Sequence, residues 1–321
     1  MANFPLKSLL CLLFLFQGCA PEPQGLPDAT DDHRQYWNDS VVRYCEGWPA
    51  KEHCDDGDSV IFNGLLCLSG DDRGCDAVAA SQADDGRWWR SPRRTNGDLD
   101  SRNSFSRDQA YGVVAYLLRT GDTAAATAWM DWILDNRACA VTNPATGGCS
   151  VPAPLYRFCR DEEGLTCSLT PGWWAFLGRV FDYLGLERNR PMRTAGDADV
   201  KTLVAETALT DTGYALHLKG VQILLKQYMN VNRNNRRAVT DVIIARQPDN
   251  PFFAFLDQGS SNALMERVLD LCPSPGQDDD FRRFQWSWER DTASEAWRES
   301  MGWDCLFLTN LLLEPEGFDP H

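Results

Sequence analysis

The sequence predicts an all-α protein of about ten or eleven helices joined by long polar loops. Three observations predict it. Apolar residues recur at helical spacing along most of the chain, several of these runs open on capping signals, and strand-like alternation is scarce. The runs also alternate in kind. Some are apolar on nearly every side and others on one stripe only, as the inner and outer members of successive helical hairpins must be.

The first element is not part of that frame. One cation, Lys7, precedes an unbroken apolar run over 9–16, followed by Gln17-Gly18-Cys19-Ala20. A charged start, a short apolar core and small residues at its exit form a secretion signal. The run falls well short of the roughly 20 residues that span a bilayer. Two cleavage readings stay open. Gly18 and Ala20 suit general signal peptidase, with Pro21 following the cut. Alternatively, Leu15, Phe16 and Gly18 before Cys19 resemble a lipobox, with Phe16 in place of the usual Leu, so that Cys19 is the lipidation site. The Pro- and Gly-containing stretch after Cys19 suits a flexible tether. The expected organisation is a signal over 1–18, a lipidated tether over 19–30 and a single domain over 31–321. Such a protein is exported and held on a membrane of the cell envelope through its lipid, or is otherwise secreted.

The helices follow in order. Residues 58–68 are mostly apolar and small, and 74–82 are amphipathic. Ser106-Arg107-Asp108-Gln109 has the form of a capping box. It opens a run with Ala110, Val113, Val114, Leu117 and Leu118 on one face, and Tyr111, Ala115 and Tyr116 around the rest. This helix is therefore expected to be buried nearly all round. Thr120-Gly121-Asp122 ends it. The next run sets Ala125, Ala128, Trp129, Trp132 and Ile133 on one stripe, with Thr127, Asp131 and Asp135 opposite. Thr170-Pro171 is an N-cap with proline at the first helical position, opening a Trp- and Phe-rich helix over 172–186. Further helices are expected over 212–229, 234–245 and 296–313, the last behind the capping box Thr292-Ala-Ser-Glu295. Segments 84–105, 138–168, 187–198 and 273–290 are polar, rich in Gly, Pro and Asp, and expected as long loops. Loops of that length carry function or are disordered.

Twelve cysteines bear on the compartment. Apart from Cys11 in the signal and Cys19, ten remain. Eight lie in close neighbour pairs, Cys45/Cys54, Cys67/Cys75, Cys139/Cys149 and Cys159/Cys167, which leaves Cys272 and Cys305 for each other. Spacing does not prove connectivity, but disulfides are expected, and they require an oxidising compartment. The rival reading is a metal cluster. It lacks any CxxC pair, and His33, His53, His217 and His321 sit in no ligand spacing. Neither a metal nor another cofactor is expected.

The formal net charge of −15, or −16 once 1–18 with Lys7 is removed, argues against a nucleic-acid partner. No G-x-S-x-G, HExxH, P-loop or dinucleotide fingerprint is present, which leaves serine-hydrolase, zinc-protease and nucleotide readings without support. The 12 tryptophans serve cores as readily as binding sites.

Successive inner and outer helical hairpins with Trp- and acid-rich loops resemble the α/α toroids, whose members include glycoside hydrolases and polysaccharide lyases. The stretch 58–90, with Gly-Leu-Leu-Cys-Leu-Ser-Gly and then Asp-Gly-Arg-Trp-Trp-Arg-Ser-Pro, is similar in character, as is Met301-Gly-Trp-Asp-Cys-Leu-Phe. The resemblance covers most of the mature chain as architecture, without a residue-by-residue motif. Terpene cyclases and prenyltransferases are helical toroids too. Their DDxxD motif is absent from the relevant helices, and Asp278-Asp279-Asp280 lies in a loop. The resemblance implies a complete or incomplete toroid that acts on a carbohydrate polymer or oligosaccharide.

In a toroid, residues at the starts of inner helices surround one mouth of the barrel. Asp55, Asp56 and Asp58 precede the first buried helix, and Asp108 lies in the first turn of the second. Asp58 and Asp108 are the candidate catalytic pair, one protonated to assist the leaving oxygen and one ionised to activate water. The resemblance favours inversion. The alternative is that acids in a first turn merely complement the helix dipole. Trp88 and Trp89 stand beside Arg90, Arg93, Arg94, Arg102 and Arg107, a set that suits an anionic sugar. Their alternative is ion pairing to Asp84, Asp85, Asp98 and Asp100 with the indoles in the core. Tyr111 and Trp173 complete the candidate substrate-binding set. His217 is either a core residue or a lyase-type base near Tyr214. Trp286, Trp288, Glu289, Arg290 and Asp291 form a second aromatic and charged loop. The expected function is that of a glycan-active enzyme, a glycoside hydrolase before a polysaccharide lyase. The other alternative is a non-catalytic lipoprotein that binds glycan or protein.

Overall fold

Capping residues set where the helices begin. In the computed structural model, residues 29–40, 42–51, 54–95, 104–159, 167–231, 233–274 and 302–313 are described. The signal, Cys19 and its tether, His53, Asp98, Asp100, Arg102, the acidic triplet 278–280, the loop 286–291, the capping box 292–295, the start of the 296–313 helix, and His321 lie outside them.

The described chain is mostly helical, as expected. It opens with α1 (Ala29–Ser40) and a short hairpin of β1 (Arg43–Cys45) and β2 (Trp48–Ala50), then continues through α2 (Ser59–Leu68) and α3 (Asp72–Ala79). A 3-10 turn over Pro92–Arg94 leads to α4 (Arg107–Thr120) and α5 (Thr123–Asp135). A second hairpin, β3 (Arg137–Thr142) and β4 (Cys149–Tyr156), precedes α6 (Pro171–Tyr183). The shorter α7 (Arg190–Ala195), α8 (Ala198–Lys201) and α9 (Leu203–Leu209) follow. Then come α10 (Tyr214–Tyr228), α11 (Arg233–Arg246), α12 (Pro251–Gln258), α13 (Asn262–Leu271) and α14 (Trp303–Leu313).

Side-chain caps start several of these helices by satisfying amides that have no partner within the helix. The side chain of Asp122 accepts from Ala125 N, Thr170 from Trp173 N, Asn250 from Phe252 N and Phe253 N, and Ser261 from Leu264 N. Asp71 accepts from Arg73 N, so α3 begins two residues earlier than periodicity alone suggests. The capping box expected at Ser106 is not made, because the Ser106 side chain accepts no capping bond. Gln109 reaches across to α2 instead, where its Nε2 donates to Asp58 Oδ1 at 2.6 Å.

The expected alternation of inner and outer helices is present. Every residue of α2 is buried, and so are residues 109–118 of α4. By contrast α3 buries only Gly74, Ala77 and Val78, and α5 leaves Thr127 and Asp131 exposed. The inner pair approaches closely at two glycines. A Cβ at Gly64 would lie 2.2 Å from Gly112 O, and one at Gly112 would lie 2.1 Å from Val60 O. Only glycine permits such backbone contact. Packing continues from α4 to α6 and α10, from α10 to α11 and α12, and from α12 to α13. The last of these meets α14, which packs on α1 and α2.

Five disulfides join the expected neighbours: Cys45–Cys54, Cys67–Cys75, Cys139–Cys149, Cys159–Cys167 and Cys272–Cys305. Two expected loops are corrected. Within 138–168, β3 and β4 pair antiparallel from Arg137↔Tyr156 to Thr142↔Cys149, and a disulfide closes the turn. Towards its turn the hairpin stands away from the core, with Val141 and Val151 exposed, so it lacks the alternation of a half-buried strand. Within 187–198, Asn189 caps α7 with Pro191 in its first turn, and α8 follows.

Candidate functional site

The first turns and inner faces of five helices line an open cavity of about 380 Å³. From α4 come Asp108 and, one turn on, Tyr111; from α6 come Trp173 and Phe176. The short helices α8 and α9 supply Asp199 and Glu206, and α10 supplies Tyr214, Leu218 and Gln222 at helical spacing, with Lys219 beside them. The Thr170 cap fixes the start of α6 and so the position of Trp173. Its ring lies 4.7 Å from that of Tyr111 and packs edge-on to Phe176 at 5.6 Å.

The carboxyls of this cavity differ in state. Burial raises the pKa of Asp108, and the nearby charge of Asp58 raises it further. The Tyr214 hydroxyl, donating to Asp108 Oδ2 at 3.0 Å, offsets part of this, yet the carboxyl stays above its ordinary range. Tyr214 itself is pushed up to about 12, by burial first and then by Asp108. Burial also raises Tyr111, and the charges of Asp108 and Glu206 add to it, so this phenol senses both acids. Burial acts on Glu206 in the same upward sense, but the Lys219 ammonium at 2.9 Å, aided by a hydrogen bond from Thr202, outweighs it. Glu206 is held below its ordinary value. Asp199 is fully buried and meets Lys226 Nζ at 2.7 Å and Arg179 Nε at 3.6 Å. The cavity thus holds one carboxyl biased towards its protonated form and another biased towards its ionised form, the combination that acid–base chemistry needs.

The sequence-predicted residues divide into two groups. Asp108, Arg107, Tyr111 and Trp173 line the cavity. Asp58 does not, although its charge acts on both Asp108 and Tyr214. Trp88 is corrected from a substrate contact to a core residue: it is fully buried and packs edge-on against Tyr116. Trp89 is also placed away from the cavity, with the Arg87 guanidinium 3.9 Å over its ring. Arg90 is buried and acts on Asp55 and Asp108 through its charge, without lining the cavity. Neighbouring arginines are taken up by ion pairs, although with other acids than proximity in sequence suggests. Arg94 binds both oxygens of Asp56 at 2.5 and 3.0 Å, and Arg93 binds Glu46 at 3.1 Å and the Cys54 carbonyl at 2.8 Å.

His217 is corrected in the same way. It points from the opposite side of α10, fully buried, with its ring stacked 4.9 Å from Phe252. Burial lowers its pKa to about 3 and keeps it neutral. Sequence reasoning missed Glu206, Asp199, Lys219 and Gln222. The one available signal was in α10, where Lys219 and Gln222 interrupt an apolar run on the side that carries Tyr214.

Comparison with protein-family models, curated proteins and solved structures finds no match to this chain. The functional reading therefore rests on the chemistry of the cavity.

Proposed function

We propose that the protein is a glycoside hydrolase of the cell envelope, tethered through lipid on Cys19. One observation carries the reading. A cavity walled by Tyr111 and Trp173 holds Asp108 above its ordinary pKa and Glu206 below its own. Asp108 is the general acid and gives its proton to the glycosidic oxygen as the bond to the anomeric carbon breaks. Glu206 takes a proton from the attacking water. Lys219 binds Glu206 Oε2 at 2.9 Å and keeps the carboxylate ionised for that step. Attack on the face opposite the leaving group inverts the anomeric carbon. Asp58 becomes a tuning charge that favours the protonated form of Asp108.

The order in which helices meet supports a toroid: α2, α4, α10, α12, α13, α14 and back to α2. Five disulfides suit an exported protein. Among the described residues, no helix is long and apolar enough to cross a membrane. A lyase is served less well, because His217 lies behind α10 and Tyr214 holds its proton to about 12.

The test is a screen of the mature chain against a panel of oligo- and polysaccharides, with Asp108→Asn and Glu206→Gln alongside. Each substitution is expected to lower turnover by about 10²–10⁴-fold. Turnover unchanged in Asp108→Asn removes this mechanism.

A further inference from the structure

We propose that Arg246, which lies outside the cavity, is a positioning residue that holds the turn between α9 and α10 and thereby sets both Glu206 and Tyr214. Its effect on turnover rests on the hydrolase reading above, whereas its hold on the turn does not.

Glu206 and Tyr214 stand on either side of one turn. The first belongs to α9 and the second opens α10. Little within the turn fixes it. The chain passes through Gly213 at φ 119°, a conformation open to glycine, whose backbone has the most freedom to lose. Gly213 gives α10 no side-chain cap, and α9 has only 7 residues, too few to be stable alone.

Arg246 supplies the hold. It is the last residue of α11, which packs against α9. Its Nη1 donates to the Thr207 carbonyl at 3.2 Å and also to the Thr210 carbonyl, and its Nη2 lies 3.5 Å from Thr212 Oγ1. Carbonyls at the end of a helix lack donors within it, and a cation is favoured there. Thr210 passes the hold on to the site. It lines the cavity, and its Oγ1 donates to the Glu206 carbonyl at 2.7 Å. Lys219 fixes the Glu206 carboxylate at 2.9 Å. Past the turn, the Tyr214 hydroxyl donates to Asp108 at 3.0 Å. One guanidinium thus ties the base to the phenol that binds the acid. Arg246 does not line the cavity, so it acts through these residues and touches no reacting atom.

The test is hydrogen–deuterium exchange of the mature chain, read by peptide mass spectrometry, with Arg246→Met and Arg246→Lys alongside. In the methionine variant, exchange over 206–217 is expected to be about 10-fold or more faster, with α2 and α4 unchanged. Lysine keeps the charge without the planar fork and is expected to restore part of the protection and part of the turnover. Turnover is read on a cello-, malto-, manno- or chito-oligosaccharide that the unsubstituted chain hydrolyses. There the methionine variant is expected to lose about 10–100-fold in kcat, with KM within about 3-fold. Unchanged exchange over 206–217 overturns the proposal, and so does local loosening with kcat intact. If Arg246→Met does not fold, Thr210→Val, which cuts the same link at the Glu206 end, is read in its place by the same measures. No turnover of any sugar by the unsubstituted chain sinks the hydrolase reading, and exchange over 206–217 still decides the hold of Arg246.

Discussion

Asp108 and Tyr214 are 106 positions apart in sequence, yet the phenol donates to the carboxyl at 3.0 Å. That bond favours the ionised acid, so its loss raises the pKa of Asp108. A general acid works only while protonated. Tyr214→Phe is therefore expected to move the alkaline limb of the pH–rate profile to higher pH, with the protein still folded. A limb that stays in place, or moves down, removes Tyr214 as a positioning residue. His217 affects stability in a different way. Its folded pKa is about 3, against about 6.5 when unfolded. Between those values the unfolded chain binds a proton that the folded chain does not. The stability it contributes is complete above pH 6.5 and declines as pH falls, by up to about 1.4 kcal/mol per unit. His217→Phe, with a ring that fits beside Phe252, is expected to lose less stability than the unsubstituted chain between pH 7 and 5. Urea denaturation at the two pH values checks it; equal losses refute it. Asp108 was legible in the sequence as an acid in the first turn of a buried helix. Glu206 was not, because an acid on a short amphipathic helix looks the same whether it faces solvent or a cavity.

Helices α2 and α4 set the scale of a single element. Their glycine contact brings the two backbones together, so the charge of Asp58 at the head of α2 reaches Asp108 at the head of α4. In Gly64→Ala the new Cβ would press on the carbonyl of Gly112. Overpacking of this kind costs about 1–3 kcal/mol or more, which for a chain of this size lowers the melting temperature by about 2–10 °C. Calorimetry measures it. A shift under about 1 °C would show that the two helices part freely and that their contact does not hold the site. Inner and outer helices were legible because burial imprints periodicity. The β3–β4 hairpin was not, since both of its faces meet solvent, as the exposed neighbours Val141 and Thr142 show, and nothing selects an alternation.

At the scale of the whole molecule, disulfide bonding limits the compartment and the N-terminal cysteine suggests the address. Two of the bridges are buried at both partners, Cys159–Cys167 and Cys272–Cys305, the second of which ties α13 to α14, while Cys45–Cys54 and Cys67–Cys75 are buried at one partner. If lipid on Cys19 anchors the chain, Cys19→Ser moves it from the membrane fraction of producing cells to the soluble exported fraction. Fractionation with an antibody against the chain reads this directly, and an unchanged distribution rules out lipidation as the anchor.

The sequence by itself determined the helical class and the alternation of buried and one-faced helices, and it suggested the four cysteine pairs that lie close together. Each is written in local spacing: periodicity records burial, and pairs within 8 to 10 residues need little help from the fold. The site is different. Only tertiary structure turned Trp88 and His217 into the core and matched Arg93 and Arg94 to acids of an earlier segment. It also brought Glu206 and Gln222 to the cavity that Asp108 lines. Those relations join residues far apart in the chain, and their energies depend on burial and on partners that no local pattern encodes.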